Sequence, residues 1–184
     1  MPVDLRKRLL DGFRWIDPGP STPHLVSDVS GWWRDAEVLA AIGPALAAPH
    51  RSARPTAVLA PEVAGLPPGA LTAVALGVGL VAAHKRDPNR PIAGPTSWVD
   101  TTTDHRGRRV GLGVRDRQLG PGDRVLVVDD WVDSGAQLRA LYALVARRGA
   151  ESVGAATVVA GCAPAVAHEL RLTCLLTADE LPER

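Results

Sequence analysis

The segment from Val125 to Gln137 constrains the fold of this chain more than any other. It reads Val-Leu-Val-Val-Asp-Asp-Trp-Val-Asp-Ser-Gly-Ala-Gln. A run of aliphatic residues without period-2 alternation is typical of a parallel strand that is covered on both faces. Beyond the acids, apolar residues recur at helical spacing from Leu138 to Val145, and Gly149 follows them. The segment therefore predicts a strand, a tight turn at Asp133-Ser134-Gly135, and a helix from Gln137 to Arg148.

The predicted turn has the properties of a phosphate site. A helix N-terminus offers unpaired N–H groups and the positive end of the helix dipole, and a glycine lets the backbone approach an anion closely. Asp129 and Asp130, just upstream, would repel a bare phosphate cluster. They are better suited to accept hydrogen bonds from sugar hydroxyls or to steer a magnesium ion held by the ligand. The pattern indicates a sugar phosphate, and the alternative is a strand end with an Asp or Ser helix cap.

The rest of the chain alternates between strands and helices. We predict an α/β fold with a mostly parallel sheet flanked by helices, in which ligands bind at the carboxyl ends of strands. Asp35 is predicted to cap a helix that carries Val38, Ile42 and Leu46. The other predicted elements are a strand over 56–59, a helix over 68–76, and strands over 79–83, 110–114 and 152–159.

Composition narrows the class of protein. With 184 residues, 46% of them hydrophobic, and a formal charge of +1, the chain is expected to form one globular domain over 1–184. The charge balance disfavours nucleic acid and anionic membranes as partners. The uncharged stretch Val63–Ala83 contains Pro67, Pro68 and several glycines, so a membrane helix is not expected. Cys162 and Cys174 have no CxxC spacing and are predicted to be buried small hydrophobes, which fits a cytoplasmic protein.

The segment from Val125 to Gln137 resembles the 5-phosphoribosyl-1-pyrophosphate (PRPP) motif of type I phosphoribosyltransferases. Outside the motif, the chain is similar to adenine phosphoribosyltransferases from about Val26 onward. The supporting segments are Leu119-Gly120-Pro121-Gly122-Asp123-Arg124, Ala60-Pro61-Glu62-Val63-Ala64-Gly65-Leu66, His84-Lys85, and Asp28-Val29-Ser30 with Arg34-Asp35. The resemblance implies the type I fold, with an N-terminal hood over 1–34, and a magnesium-dependent transfer from PRPP to a nitrogen of a base in purine salvage. It also implies a homodimer.

The resemblance assigns roles to residues of this chain. Asp129 and Asp130 would hold the ribose hydroxyls, with possible help to a magnesium ion that PRPP itself carries. The 5-phosphate would be bound by Asp133, Ser134, Gly135, Ala136 and Gln137. The pyrophosphate would meet Val63, Ala64, Gly65 and Lys85. The base would lie near Trp131, Val26 and Ser27.

Two of these roles have simple structural alternatives. Asp133 stands where hypoxanthine-guanine enzymes have an Asp that faces the purine, so we predict proton transfer with the incoming base. A plain helix cap is the alternative. Trp131 could stack on a heterocycle or fill the core.

The stretch from Lys85 to Arg109 is long and polar, and a run of that length without regular structure is usually a functional loop or disordered. The resemblance places a lid that closes over PRPP at 86–109, with Thr101, Thr102, Thr103 and His105 in it. Closure would exclude water from a reactive sugar cation. The alternative is a variable surface loop.

Several positions depart from the family pattern. Ala64 replaces a common Arg in the pyrophosphate loop, Gln137 replaces a Thr or Ser, and Val26-Ser27 replaces Phe-Arg. These changes put adenine as the substrate in doubt. They also leave a second hypothesis open, in which the chain is a non-catalytic PRPP- or nucleotide-binding regulatory protein on the same fold.

Overall fold

The computed structural model describes residues 3–20, 24–102 and 109–183. The helices are α1 (Val3–Asp11), α2 (Ser30–Arg34), α3 (Ala36–Ala47), α4 (Leu66–Leu76), α5 (Ala136–Arg147) and α6 (Pro164–Glu169). The strands are β1 (Arg14–Ile16), β2 (Val26–Asp28), β3 (Ala57–Pro61), β4 (Gly79–Lys85), β5 (Thr96–Asp100), β6 (Gly111–Arg115), β7 (Arg124–Val132), β8 (Glu151–Ala160) and β9 (Leu172–Thr177). Short 3-10 helices lie at Ala48–Ala53, Asp116–Gln118 and Ala178–Glu180.

The main sheet has seven strands in the order β5-β6-β4-β3-β7-β8-β9. Each neighbouring pair among β4, β3, β7, β8 and β9 is parallel, whereas β6 pairs antiparallel with both β4 and β5. The predicted α/β architecture with a mostly parallel sheet is therefore confirmed. The carboxyl ends of β3, β4 and β7 meet at one edge of this sheet, where ligands of open α/β folds bind.

Strand β7 forms the centre of the core. Its residues Val125 to Val128 are fully buried. Leu126 and Val128 belong to one apolar cluster, and Val125 and Val127 belong to another on the opposite face. This arrangement explains why the strand shows no polar alternation: both of its faces are covered. Asp35 caps α3 as predicted, because its side chain accepts hydrogen bonds from the N–H groups of Glu37 and Val38.

The N-terminal segment packs onto the same core. β1 and β2 form a separate antiparallel pair, with Trp15 opposite Ser27. Trp32 is fully buried, and its indole N–H donates a 2.7 Å hydrogen bond to the carbonyl of Leu9. Leu9, Phe13 and Trp32 share an apolar cluster with sheet residues. The segment is thus anchored by aromatic packing, and a hood function for 1–34 stays a prediction.

Two predictions need correction. The stretch from Lys85 to Arg109 was expected to lack regular structure, but β5 lies inside it and pairs with β6. Polar residues are tolerated there because β5 is an edge strand with one partner. The prediction that both cysteines are buried is also wrong: Cys174 is exposed and Cys162 is only partly buried, because Cys174 lies on the edge strand β9. No helix in the described ranges is both long and apolar enough to span a membrane.

Candidate functional site

The acid pair lies within β7 and not beyond its end. The strand continues through Asp129 and Trp131 to Val132, and it pairs with β8 up to the contact of Val132 with Ala160. The unbroken aliphatic run stops at the acids, but the strand does not. Pairing with β8 extends the strand, since backbone hydrogen bonds do not depend on side-chain polarity.

The turn after β7 is shaped by Gly135. This residue caps α5 in the left-handed conformation, with φ at 75°, which favours glycine. A Cβ at this position would lie 2.7 Å from Val166 Cγ1. The Ser134 hydroxyl accepts a 3.3 Å hydrogen bond from the Ala136 N–H. Helix α5 therefore begins directly after the turn that follows β7, and the N-terminus of a helix is a favourable place for an anion.

A cavity of about 160 Å³ lies at this point of the sheet. It joins the strand end, the turn, the start of α5 and the end of β5. Its lining residues are Thr101, Val110, Asp129, Trp131, Val132, Asp133, Ser134, Gly135, Ala136, Gln137 and Leu138. The structure therefore brings together the acid Asp129, the complete predicted 5-phosphate turn, and Thr101 of the predicted lid.

Asp129 is the most deeply buried ionisable group of the cavity, with 1% of its surface exposed. Its Oδ1 accepts a 2.9 Å hydrogen bond from the Asp130 N–H, and its Oδ2 accepts a 2.6 Å hydrogen bond from Gln137 Nε2. Burial raises the pKa of the Asp129 carboxyl well above its usual range, and the neighbouring Asp130 charge raises it further. Asp130 is only partly buried, so the two acids differ in access to water.

Arg139 supports the turn from outside, and sequence reasoning missed this contact. Its Nη1 donates a 3.1 Å hydrogen bond to the Ser134 carbonyl. Its Nε and Nη2 donate to the two carboxylate oxygens of Glu169 at 2.9 and 2.7 Å. This two-pronged pair fixes the guanidinium, and the turn is thereby tied to α6. Glu169 is thirty residues from Arg139 in the chain, so no local pattern indicated the pair.

The predicted pyrophosphate residues lie between β3 and α4. Val63 and Ala64 are exposed, whereas Gly65 is buried, and the Glu62–Val63 peptide bond is cis. A Cβ on Gly65 would lie 2.7 Å from Asp129 Oδ1. The structure thus brings Gly65 against the acid of the cavity and leaves Val63 and Ala64 open to solvent.

Glu62 organises the neighbourhood of this loop and was not predicted as a site residue. Its carboxylate accepts hydrogen bonds from His84 Nδ1 at 2.8 Å, the Lys85 N–H at 3.1 Å and Arg90 Nη2 at 2.5 Å. Burial acts to raise the pKa of Glu62, but hydrogen bonds from His84 and Lys85 outweigh it and lower the pKa. The cluster connects the loop after β3 to the end of β4 and to Arg90 beyond it.

The cationic residues at the end of β4 have different surroundings. Lys85 is exposed beside the Glu62 cluster. Arg86 is held away from it, with its guanidinium 5.0 Å from the centre of the Trp98 ring and 3.1 Å from the Asp100 carboxylate. Arg86 therefore belongs to the β5–β6 hairpin, whereas Lys85 is placed near the predicted pyrophosphate loop.

The predicted base-binding residues are not all brought together. Trp131 lines the cavity and also packs against two aromatic rings of the N-terminal segment, Phe13 at 6.2 Å and Trp15 at 6.3 Å between ring centres. Val26 and Ser27 lie on β2 and are outside the lining of this cavity. A Cβ on Gly161 would lie 3.4 Å from Trp131 Nε1 and 3.3 Å from Asp133 Oδ1. An indole N–H and a carboxylate therefore face the same small space beside Gly161.

Two of the four predicted lid residues are described. Thr101 is buried, and its hydroxyl accepts a 3.0 Å hydrogen bond from the Val110 N–H, while Thr102 is exposed. Thr103 and His105 lie outside the described residues. Over residues 3–20, 24–102 and 109–183, no three His, Cys, Asp or Glu side chains are grouped so as to hold a metal ion.

Comparisons with known proteins agree with the resemblance found in the sequence. Residues 35–174 match the family model described as the phosphoribosyl transferase domain. The chain is 36% identical to xanthine phosphoribosyltransferase of Chloroflexus aurantiacus over 125 residues. This match covers 68% of this chain and 58% of that protein. The chain thus spans little more than half the length of this relative. Adenine phosphoribosyltransferase of Yersinia pestis is 29% identical over 167 residues, covering 91% of this chain and 86% of that protein.

The fold comparison agrees over nearly the whole chain. The crystal structure of adenine phosphoribosyl transferase from Trypanosoma brucei, in complex with AMP, pyrophosphate and ribose-5-phosphate, superimposes with a TM-score of 0.82. The identity is 22%, and the superposition covers 97% of this chain and 81% of that one. The strand, turn and helix of the predicted PRPP motif are all present at the carboxyl edge of the sheet. The chain belongs to the phosphoribosyl transferase domain family.

Proposed function

We propose that this protein is a phosphoribosyltransferase, which transfers the 5-phosphoribosyl group of PRPP to a nitrogen of a purine or related heterocyclic base and releases pyrophosphate. The observation that carries the proposal is the cavity at the end of β7. There the buried carboxyl group of Asp129 and the first residues of α5 line the same space. A ribose phosphate offers its hydroxyl groups to the carboxyl group and its anionic phosphate to the helix N-terminus.

The turn from Asp133 to Gln137 would hold the 5-phosphate. Its backbone N–H groups and the Ser134 hydroxyl are the donors, and Gly135 lets the anion approach the backbone. Because Arg139 and α6 brace this turn, the donors are fixed before the ligand arrives. Fixed donors lose little conformational freedom on binding, which favours affinity.

The acid pair would bind the ribose hydroxyls and favour positive charge that develops on the sugar in the transition state. Asp129 lines the cavity, whereas Asp130 is partly buried and is outside its lining. We expect the magnesium ion to arrive on PRPP, with Asp129 and Asp130 as its outer partners. When bound, the ion supplies positive charge to the leaving pyrophosphate.

The leaving pyrophosphate would lie against the N–H groups of Val63, Ala64 and Gly65, with Lys85 as its cation. Val63 and Ala64 are exposed and Lys85 lies beside the Glu62 cluster, so these groups are accessible to an anion. Thr101 and Thr102 would belong to a lid that closes the opposite side. Thr101 already lines the cavity.

The incoming base would occupy the space beside Trp131, Asp133 and Gly161. Asp133 would exchange a proton with the base, and the Trp131 indole N–H would donate to an acceptor on it. A carboxylate and an N–H donor suit a heterocycle that presents both an N–H and a carbonyl oxygen. This pairing favours an oxopurine over adenine, and the relatives named above include both a xanthine and an adenine enzyme.

The direct test is pyrophosphate release after the protein is mixed with PRPP, magnesium and a panel of oxopurines, adenine and pyrimidines. We expect release with at least one purine and none without a base. Calorimetric binding of PRPP without release across the panel would instead support the regulatory-protein alternative, which the missing arginine at Ala64 favours. A homodimer and a cytoplasmic location complete the proposal, and light scattering of the eluted protein tests the first.

A further inference from the structure

Gln137 connects the acid pair to the helix that opens the phosphate turn. Its Nε2 donates a 2.6 Å hydrogen bond to Asp129 Oδ2, while Asp129 Oδ1 accepts the Asp130 N–H. Both oxygens of this buried carboxyl group therefore have a donor from the protein. A carboxyl group held at both oxygens cannot rotate without breaking a hydrogen bond in a dry environment, where an unmade bond is costly.

The same carboxyl group is also enclosed from the pyrophosphate side. A Cβ on Gly65 would lie only 2.7 Å from Asp129 Oδ1, so any larger residue at this position would push the acid away. Asp129 is consequently fixed by three separate parts of the chain: its own strand, the first turn of α5, and the loop before α4. Its orientation is set by packing and by hydrogen bonds together.

We infer that Gln137 is a positioning residue whose side chain orients Asp129, and through it the acid pair, toward the ribose diol of the substrate. Its backbone N–H, in the first turn of α5, remains available to the 5-phosphate. The inference rests on the proposed function for the identity of the diol. It assigns the side chain and the backbone of one residue to two different parts of the same ligand.

The length of the side chain supports this assignment. A glutamine carries its N–H donor at the end of a three-carbon reach, which here spans the gap between α5 and the buried acid. The phosphoribosyltransferase pattern has Thr or Ser at this position, and either side chain is too short to reach the Asp129 carboxyl group. The exchange therefore gives Asp129 a donor that a hydroxyl at position 137 would not supply.

The contact also has an electrostatic consequence. Burial and the Asp130 charge raise the pKa of Asp129, and the Gln137 N–H acts in the opposite direction by favouring the ionised form. Among the described residues, Asp130 is the ionisable group whose charge raises the pKa of Asp129. Without the Gln137 donor, the Asp129 pKa moves upward, and the acid holds its proton to a higher pH.

The variant Gln137→Met tests the inference, because it keeps the size of the side chain and removes the donor. Gln118→Met is the matched control, since it makes the same change at the chain's other glutamine, in the 3-10 helix Asp116–Gln118. Calorimetry compares two probes, ribose 5-phosphate and inorganic phosphate. We expect Gln137→Met to weaken ribose 5-phosphate binding roughly tenfold, as for the loss of a donor to a charged group, with phosphate binding within about twofold of the control.

Equal weakening of both probes would overturn the inference, because it would make the side chain a phosphate ligand. Unchanged binding of both would overturn it as well. A second measurement needs no ligand: carbon-13 NMR of the carboxyl groups follows the titration of Asp129. Its midpoint should move upward in Gln137→Met and stay in place in Gln118→Met, and an unmoved midpoint in both would contradict the inference.

The two measurements separate this inference from the proposed function. If the wild-type protein binds neither ribose 5-phosphate nor PRPP, the proposed function fails, and the titration alone still decides whether Gln137 holds Asp129. If binding occurs and the titration midpoint is the same in both variants, the proposed function stands and the role of Gln137 is wrong.

Discussion

The proposed site has two sides, and they are built in different ways. The phosphate and diol side comes from one continuous segment, β7, the turn and α5. Asp129 is 1% exposed and Gly135 is buried there, whereas Asp133 and Ser134 of the turn are exposed. The pyrophosphate side is assembled from separate parts of the chain around Glu62, and its cations are open to solvent. The Arg90 side chain is 57% exposed.

This difference predicts how each side responds to change. A buried group in fixed geometry cannot be replaced by water, so its loss removes the whole interaction. An exposed, long cation gains little from its partner, because solvent screens the charge and the side chain must lose rotamer freedom. We therefore expect substitutions on the diol side to have large and specific effects, and substitutions around Glu62 to have small ones.

The largest effect is expected for Asp133→Asn, which keeps the shape of the side chain but removes its ability to take a proton. Turnover at saturating PRPP should fall roughly a hundredfold, as is typical for the loss of a general base. PRPP affinity should stay within about twofold. Steady-state pyrophosphate release gives the turnover, and calorimetry gives the affinity.

An exposed acid outside the lining of the cavity, Asp17, provides the control as Asp17→Asn. Unchanged turnover in Asp133→Asn would limit Asp133 to helix capping. The chemistry would then have to lie elsewhere in the cavity, and the phosphate side would serve for binding alone.

The next effect concerns Gly135→Ala. The left-handed backbone and the close approach to Val166 both oppose a Cβ, so the turn must shift and move its N–H groups. Ribose 5-phosphate affinity should fall roughly thirtyfold, which corresponds to about 2 kcal/mol, within the range for strained backbone. Calorimetry measures this loss directly.

Gly77→Ala is the matched control, because Gly77 has a similar φ of 72° and no atom within 4 Å of an added Cβ. Both variants should lose about 1 kcal/mol of folding stability from the backbone conformation. Only Gly135→Ala should lose ligand affinity. Equal ribose 5-phosphate affinities of the two variants would show that the turn adapts to an added Cβ. The phosphate side would then be no more rigid than the pyrophosphate side.

The third effect is on stability and concerns Asp129→Asn. Because the folded-state pKa of Asp129 is raised, its contribution to stability is full below the unfolded-state pKa and is lost as the pH rises through the folded-state pKa. Asparagine carries no such dependence, and a flipped Gln137 amide can still pair with it. The variant should therefore be more stable than the wild type at pH 8, by on the order of 1 kcal/mol, while losing activity.

Denaturant unfolding at pH 5 and pH 8 checks this prediction, with Asp87→Asn as the exposed control. The gain of Asp129→Asn should be smaller at pH 5 than at pH 8. A variant that is less stable than the wild type at both values would show that the carboxylate is a net stabilising group in its buried position.

The sequence predicted the phosphate side well because its information is local. The apolar run of Val125 to Val128, the acids and the glycine turn are contiguous, and the helix predicted over 137–148 is observed at Ala136–Arg147. The contact between Gln137 and Asp129 was not predicted, although the residues are eight positions apart. It depends on the angle between β7 and α5, which no periodicity specifies.

The pyrophosphate side was harder to predict because its contacts join distant residues. Glu62 meets His84 and Arg90, which are 22 and 28 positions away. A charged residue in a polar loop gives no indication of its partner. β5 was missed for a related reason: its residues are polar, and only pairing with β6 makes it a strand.

The smallest effect is expected for Arg90→Met, which removes one of the three donors to the Glu62 carboxylate. His84 and the Lys85 N–H still hold Glu62, and the lost pair is exposed on the Arg90 side, so its contribution is below about 1 kcal/mol. PRPP affinity should fall about threefold, whereas ribose 5-phosphate, which has no pyrophosphate, should bind as before.

Calorimetry with both ligands measures the difference, and Arg117→Met, at another exposed arginine, controls for the loss of charge. A tenfold or larger loss of PRPP affinity would make Arg90 a direct pyrophosphate ligand in place of the arginine missing at Ala64, and the pyrophosphate side would then be as strictly built as the diol side.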